Sequence, residues 1–185
     1  MTMLHLEQHH SLAHSFCTRP DIHFENQKSD EEVILTVRAH PITLVPALFN
    51  SLAFFLLIFL GNFVIGQFLD AVQVIYINVF FLFFSFVYLW IQIVDWYFNI
   101  GIITNKQVID VDFNSLMFRN VTRTDLTHIE DVSVKSSGFI SSIINYGNVF
   151  VQTAGSEINT EFIQIPQPEK AAHIIQNILK EYGTN

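Results

Sequence analysis

The sequence is poor in charged residues, and the shortage is concentrated in its middle. Only 14% of the 185 residues are Asp, Glu, Lys or Arg, whereas 50% are hydrophobic. Residues 39–69 contain no charged side chain, residues 71–94 contain none either, and Asp70 alone separates the two runs. The remaining chain is too short to cover two such runs in a soluble protein, so a soluble globular fold is not expected.

Cysteine is also nearly absent, and the common catalytic motifs are missing. Cys17 is the only cysteine, so no intrachain disulfide can form, which fits a reducing compartment. The sequence has no glycine-rich nucleotide loop, nucleophile elbow, CxxC pair or HExxH helix. We therefore expect a protein that is not an enzyme and that needs no cofactor.

Each uncharged run is long enough to cross a membrane as a helix, which takes about 20 apolar residues. We predict a hairpin of two transmembrane helices at about 42–66 and 72–97. The first run starts too late, after an acidic segment, to be a cleavable signal peptide. Lys28 and Arg38 precede the hairpin and Lys106 follows it, while its loop has no basic residue. This pattern favours a multi-pass protein of the cytoplasmic membrane with both termini in the cytoplasm.

Four amide side chains interrupt the predicted spans. If the chain turns near Asp70, Asn62 and Asn78 lie at one depth, and Asn50 and Gln92 lie at another. Hydrocarbon offers no hydrogen-bond partner, so each amide must find one in protein. We expect two amide pairs between the helices, or, alternatively, amides that face another copy of the chain.

Short β-type runs replace the helical pattern after the second span. They are separated by turn residues and predict six strands, at 100–104, 108–113, 116–124, 132–135, 149–153 and 161–165. An amphipathic helix is predicted at 168–182, with apolar residues on one stripe: Ala171, Ile174, Ile175, Ile178, Leu179 and Tyr182. The expected domains are a polar, His-rich cytoplasmic segment with a short strand at 33–37, the hairpin, and a β domain, at 1–40, 41–98 and 99–185.

The β domain carries several short motifs in a fixed order. Residues 98–109 include Thr104 at a strand end, followed by the turn Asn105-Lys106-Gln107. Further motifs occupy residues 126–132, 145–149, 153–155 and 165–168. Together they resemble the opening hairpin, middle signature, glycine turn and final-helix lead-in of the membrane-anchored bacterial pleckstrin-homology-like family.

This resemblance implies a mixed membrane α and β fold. The two-helix transmembrane hairpin would be followed by a PH-like bent β-sheet or barrel that a C-terminal α-helix closes. Gln107 stands where the family usually has Arg, and residues 113–116 replace an expected glycine turn. A ligand contact at the opening hairpin is therefore not expected.

Two groups of residues are candidates for binding small ligands. His5, His9, His10 and His14 offer pairs four residues apart that could hold Zn or Cu, but a solvated tail is the simpler interpretation, and we expect no metal. Arg119 and Arg123 are the closest pair of cations in a segment that has six basic and nine acidic residues from Asn99 onwards. They are candidates for contacts with a lipid headgroup.

The leading hypothesis is a membrane-anchored PH-like interaction or scaffolding protein that assembles with itself or with a membrane-protein partner. Its other partner is the lipid bilayer, and no nucleic acid is expected. One alternative is an oligomeric channel or transporter subunit, whose pore would be lined by the four amides and Asp95. Another is a lipid-headgroup-binding module that uses Arg119 and Arg123.

Overall fold

The structure, a computed structural model, describes residues 15–24, 27–114, 118–136, 138–154 and 160–183. The chain divides into two compact units. A helix unit contains residues 41–98, and a β unit contains the described residues of 15–40, 99–112 and 119–183.

The helix unit consists of two long antiparallel helices. A 3-10 turn, Pro41–Leu44, leads into α1, Val45–Ile65, and α2 is Ala71–Phe98. Pro46 stands in the first turn of α1, where its missing N–H costs nothing. Before α2, the Gln73 side-chain oxygen accepts a hydrogen bond from the Asp70 backbone N–H at 3.1 Å. Both helices therefore occupy nearly the ranges that the uncharged runs predict.

The surface of the helix unit is overwhelmingly apolar. Both helices have a mean hydropathy of 2.2, and their most apolar windows are only 11% and 0% buried. Phe49, Leu57, Phe63 and Phe80 are each more than 60% exposed. Buried core helices of a soluble protein would be covered on such faces, whereas these two are long and apolar enough to cross a membrane.

The first sheet of the β unit combines strands from both sides of the helix unit in the sequence. It runs in the order β1 (Phe16–Thr18), β2 (Val33–Val37), β3 (Ile100–Thr104), β4 (Gln107–Asn114) and β5 (Phe118–Asp125). The β1–β2, β2–β3 and β3–β4 pairs are antiparallel. The predicted strand at 33–37 is thus confirmed, and it lies between β1 and β3 in this sheet.

The second sheet has three antiparallel strands: β6 (Ile129–Lys135), β7 (Tyr146–Thr153) and β8 (Thr160–Pro166). A short helix that the sequence did not predict, α3 (Phe139–Ile144), connects β6 to β7. It follows Gly138, whose φ of +99° is a conformation that residues with a side chain rarely adopt. The predicted C-terminal helix is confirmed as α4, Pro168–Tyr182.

One hydrophobic core lies between the sheets and α4. Its members include Leu35 of β2, Ile103 of β3, Val151 of β7 and Ile175 of α4, all fully buried. The apolar stripe predicted for α4 contributes Ala171, Ile175 and Ile178 to this core, with Ile174 and Leu179 partly buried against it. Tyr182 is the exception, because its side chain is 41% exposed.

The β unit is not a closed barrel in its described part, which corrects one of the two expected forms. The strands make two separate sheets, because the 3-10 turn Leu126–His128 takes the chain from β5 in one sheet to β6 in the other. A continuous ladder between β5 and β6 would be needed for closure. Two sheets and α4 therefore enclose the core.

Candidate functional site

An amide pair joins the two long helices near their connection. The Asn62 Nδ2 donates to Asn78 Oδ1 at 3.2 Å, and Asn78 Nδ2 donates to Asn62 Oδ1 at 3.1 Å. Both side chains are half-buried among apolar neighbours such as Ile58 and Leu82. The structure thus brings together two of the four amides that the sequence singled out, and each satisfies a donor and an acceptor of the other.

A second polar contact between the helices comes from residues that sequence reasoning missed. The hydroxyl groups of Ser51 and Ser85 are hydrogen-bonded to each other. Ser51 lies eleven residues before Asn62, about three helical turns, and Ser85 lies seven residues after Asn78, about two turns. Each serine therefore shares a face with the amide of its own helix, and this spacing was the signal that could have identified it.

Asn50 and Gln92 are placed differently from the first amide pair. Asn50 neighbours Ser51 and is therefore rotated by about 100° from the α2-facing side of α1, which leaves it exposed. Gln92 is half-buried, and the structure shows no hydrogen bond between these two described residues. Asn50 instead lines a groove of about 280 Å³ with Ser51, Phe54, Phe84, Ser85 and Tyr88.

The turn between β3 and β4 holds a buried carboxylate. Glu31 is only 4% exposed, and its Oε1 accepts hydrogen bonds from Thr104 Oγ1 at 2.7 Å and from Gln107 Nε2 at 2.8 Å. Its Oε2 accepts one from the Lys28 backbone N–H at 3.3 Å. Sequence reasoning missed Glu31, because 73 residues separate it from Thr104 and nothing in a single sequence links the two positions.

The same turn is tied to residues beside Glu31. Asn105 Nδ2 donates to the Asp30 carbonyl at 3.1 Å, and Asn105 Oδ1 accepts from the Glu32 backbone N–H at 3.0 Å. Lys106 makes an ion pair with Asp30, and the hydrogen bond from Lys106 lowers the pKa of that carboxyl. The polar side chains at the family-like hairpin therefore bind another segment of the same chain.

Carboxyl groups gather on β4 and β8. Burial, together with the nearby charges of Asp112 and Glu161, raises the pKa of Asp110 to about 7. Burial also raises the pKa of Asp112. Glu161 accepts a hydrogen bond from Asn148 Nδ2 at 3.0 Å. Within the described ranges, no group of three or more His, Cys, Asp or Glu side chains is arranged to hold a metal ion, and this surface would repel an anionic ligand.

The remaining candidates from the sequence are only partly within the described structure. Arg123 is exposed near the end of β5, while the side chain of Arg119 lies outside the described part. His5, His9, His10 and His14 all precede the first described residue. Only one of the two candidate headgroup contacts can therefore be placed.

Two sheets, a C-terminal helix packed on them and a hairpin bound to its own chain define a PH-like domain, in a chain that also contains a pair of apolar helices. The model of the family described as Bacterial PH domain matches residues 42–181. The chain belongs to this family, which confirms the resemblance drawn from the motifs. PH-like domains are in general binding modules for lipids or proteins rather than catalysts.

The chain was also compared with solved structures and with curated proteins. It is similar to a DUF1696 family protein with a pleckstrin-homology domain from Shewanella loihica PV-4, at 13% sequence identity and a TM-score of 0.35. That alignment covers 46% of this chain and 70% of the other. No curated protein matches the chain.

Proposed function

We propose that this chain is a membrane-anchored, non-enzymatic interaction protein whose copies assemble through the helix pair. In this proposal the hairpin at 41–98 fixes the protein in the membrane. The PH-like domain at 99–185, with β1 and β2 supplied by residues 1–40, is the part that meets other molecules. The observation that carries the assembly is the exposed amide of Asn50.

The surface of the helices supports the membrane position. Each helix exceeds the roughly 20 residues that a hydrocarbon core requires, and apolar side chains cover their outer faces. Lys28, Arg38 and Lys106 flank the hairpin on the side of the termini, which favours a cytoplasmic position for the β unit. The short connection around Asp70 then lies on the opposite side of the membrane.

In this arrangement the exposed amide of Asn50 needs a hydrogen-bond partner. It lies nine residues after Pro41, about 13 Å along the helical axis at about 1.5 Å per residue. An exposed carboxamide at that depth would have to face hydrocarbon, which offers neither donor nor acceptor. Asn62 and Asn78 satisfy each other within the chain, whereas Asn50 requires a partner from outside it.

A second copy of the chain is the partner that suits Asn50. A carboxamide is both donor and acceptor, so the same residue in two copies related by a two-fold axis can form a reciprocal pair. The geometry would repeat that of Asn62 and Asn78. The groove beside Asn50, lined by Phe54, Phe84 and Tyr88, has room for side chains of a neighbouring helix.

The other hypotheses account for fewer of these observations. A pore lined by the four amides would need Asn62 and Asn78 to face water, but these two hydrogen-bond each other. Headgroup binding requires several convergent cations, and Arg123 is the single candidate that the described structure places. Self-assembly without catalysis is therefore better supported than a pore or a headgroup-binding module.

The test is the mass of the full-length protein in nanodiscs or mild detergent. The full chain is needed, because a segment starting at Asn99 would lack Leu35 and Val37 of the core. We expect wild type to form a defined oligomer and Asn50→Leu to shift it towards monomer. The matched control is the double variant Asn62→Leu/Asn78→Leu, which removes one amide from each helix and should keep the oligomer. An unchanged mass for Asn50→Leu would contradict the proposal.

A further inference from the structure

The short helix α3 exposes two large apolar side chains. Phe139 is 80% exposed and Ile143 is 66% exposed, the two highest values for large apolar residues in the described part of the β unit. They are four residues apart, so they project from the same face of α3. Core packing does not account for this face, since Leu126, Val132 and Phe162 of the same unit are almost fully buried.

The segment around α3 is also free of charge. Residues 136–156 contain no Asp, Glu, Lys or Arg, although the whole chain has a formal net charge of −8. The nearest charged residue before it is Lys135, which is exposed at the end of β6. An uncharged apolar face next to a cation suits an anionic lipid surface, which would repel most other surfaces of this acidic protein.

The contacts of His40 show at which end of the β unit α3 lies. Tyr146 follows α3 by two residues, and its ring stacks on His40 with the centroids 5.9 Å apart. The His40 backbone N–H also donates to the Gln164 carbonyl at 2.7 Å. His40 is bonded directly to Pro41, the first residue of the apolar helical segment. The end of the β unit that carries α3 is therefore the end from which the chain leaves for α1.

We propose that α3 inserts Phe139 and Ile143 into the interface of the bilayer that the helix pair crosses. This inference rests on the proposed function, because it requires α1 and α2 to span that bilayer. Two side chains would bind a membrane weakly on their own, but a covalent anchor raises their effective concentration at the surface. The insertion holds the β unit against the membrane at one defined end.

Site-specific labelling of the full chain in nanodiscs tests the insertion. In a Cys17→Ala background, an environment-sensitive fluorophore is attached to Phe139→Cys and, separately, to Ile143→Cys. Glu130→Cys is the control within the β unit, because it is exposed near the start of β6, the end remote from α3. Leu57→Cys, 70% exposed on α1, is the control for anchoring.

We expect blue-shifted emission and quenching by nitroxide-labelled lipids for the labels at positions 139 and 143, and quenching by aqueous iodide for the label at 130. If the labels at 139 and 143 are as open to iodide as the label at 130 while the label at 57 is quenched by lipid nitroxides, anchoring stands and the insertion of α3 is overturned. If the label at 57 is not quenched by lipid nitroxides, membrane anchoring fails and the insertion falls with it.

Discussion

Asn62 and Asn78 exchange two side-chain hydrogen bonds across the helix pair. We expect Asn62→Leu to destabilise the packing of α1 on α2 by about 0.5–2 kcal/mol, because it leaves the amide of Asn78 without a partner in an apolar setting. The measurement is denaturation of the full chain in mixed micelles, followed by a fluorophore pair on the two helices.

The control for this prediction is the double variant Asn62→Leu/Asn78→Leu. Removing both partners leaves no unsatisfied amide, so its loss of stability should be smaller than that of Asn62→Leu alone. A double variant that loses the sum of the two single losses would show that the amides act independently.

The buried carboxylate of Glu31 depends on Thr104 for one of its hydrogen bonds. We expect Thr104→Val to lower the free energy of unfolding of the β unit by about 1–3 kcal/mol, since a charged group at 4% exposure loses a donor. Thermal unfolding monitored by circular dichroism measures the change. Thr127→Val, at an exposed position, is the control and should have little effect; equal losses for both variants would contradict the role of Glu31.

Asp110 makes the stability of the β unit depend on pH. Its pKa rises from the usual 3.8 to about 7 on folding, so the folded state holds a proton that the unfolded state releases. The contribution of this proton to the free energy of unfolding is fully present below about pH 4 and is lost as the pH rises to about 7. At about 1.4 kcal/mol per pKa unit, the loss is at most about 4 kcal/mol. Because Asp110 is only half-buried, we expect a smaller loss.

Asp110→Asn should abolish this part of the pH dependence and raise stability at pH 8 relative to wild type. The measurement is chemical denaturation at pH 5 and pH 8, with Asp125→Asn as the exposed control. A wild type and an Asp110→Asn variant with parallel pH profiles would show that Asp110 does not bind the proton.

Gly101 lies where β2, β3 and β8 come close together. A Cβ at this position would overlap the Phe162 ring and come within 2.8 Å of Val37 Cγ2. We expect Gly101→Ala to cost about 1–3 kcal/mol through overpacking, measured as a lower melting temperature of the β unit. Gly101→Ala/Phe162→Leu should recover part of the loss. Gly61→Ala is the control, because its Cβ would meet only Ile65 Cδ1 at 3.8 Å.

The strand and helix pattern was largely accessible from the sequence, but the short elements were not. β7 buries Val149, Val151 and Thr153 on one face, as the alternation of its residues predicts. In contrast, α3 has only six residues, too few for a helical period to show in a sequence. Its exposed face, on which the proposed insertion into the bilayer depends, became visible only in the structure.

The candidate contacts were predictable to different degrees. A hairpin places residues equidistant from its turn at equal depth, which is why Asn62 and Asn78 could be matched from sequence. The same rule matched Asn50 with Gln92, but depth does not define the direction of a side chain around a helix. Because Ser51 faces α2 and Asn50 is rotated by about 100° from it, Asn50 lies at the edge of the groove between the helices and does not point directly at α2.

The sequence by itself determined that two long helices form and which residues they contain, because an uncharged apolar run long enough to cross a membrane satisfies its own backbone hydrogen bonds as a helix. It also determined the amphipathic α4 and the family. Only the tertiary structure decided that β2 pairs with β3, although the whole helix unit separates these two strands in the sequence. The same is true of the burial of Glu31 against Thr104 and Gln107. These contacts link residues more than sixty positions apart, and their energies depend on packing and burial that no local pattern encodes.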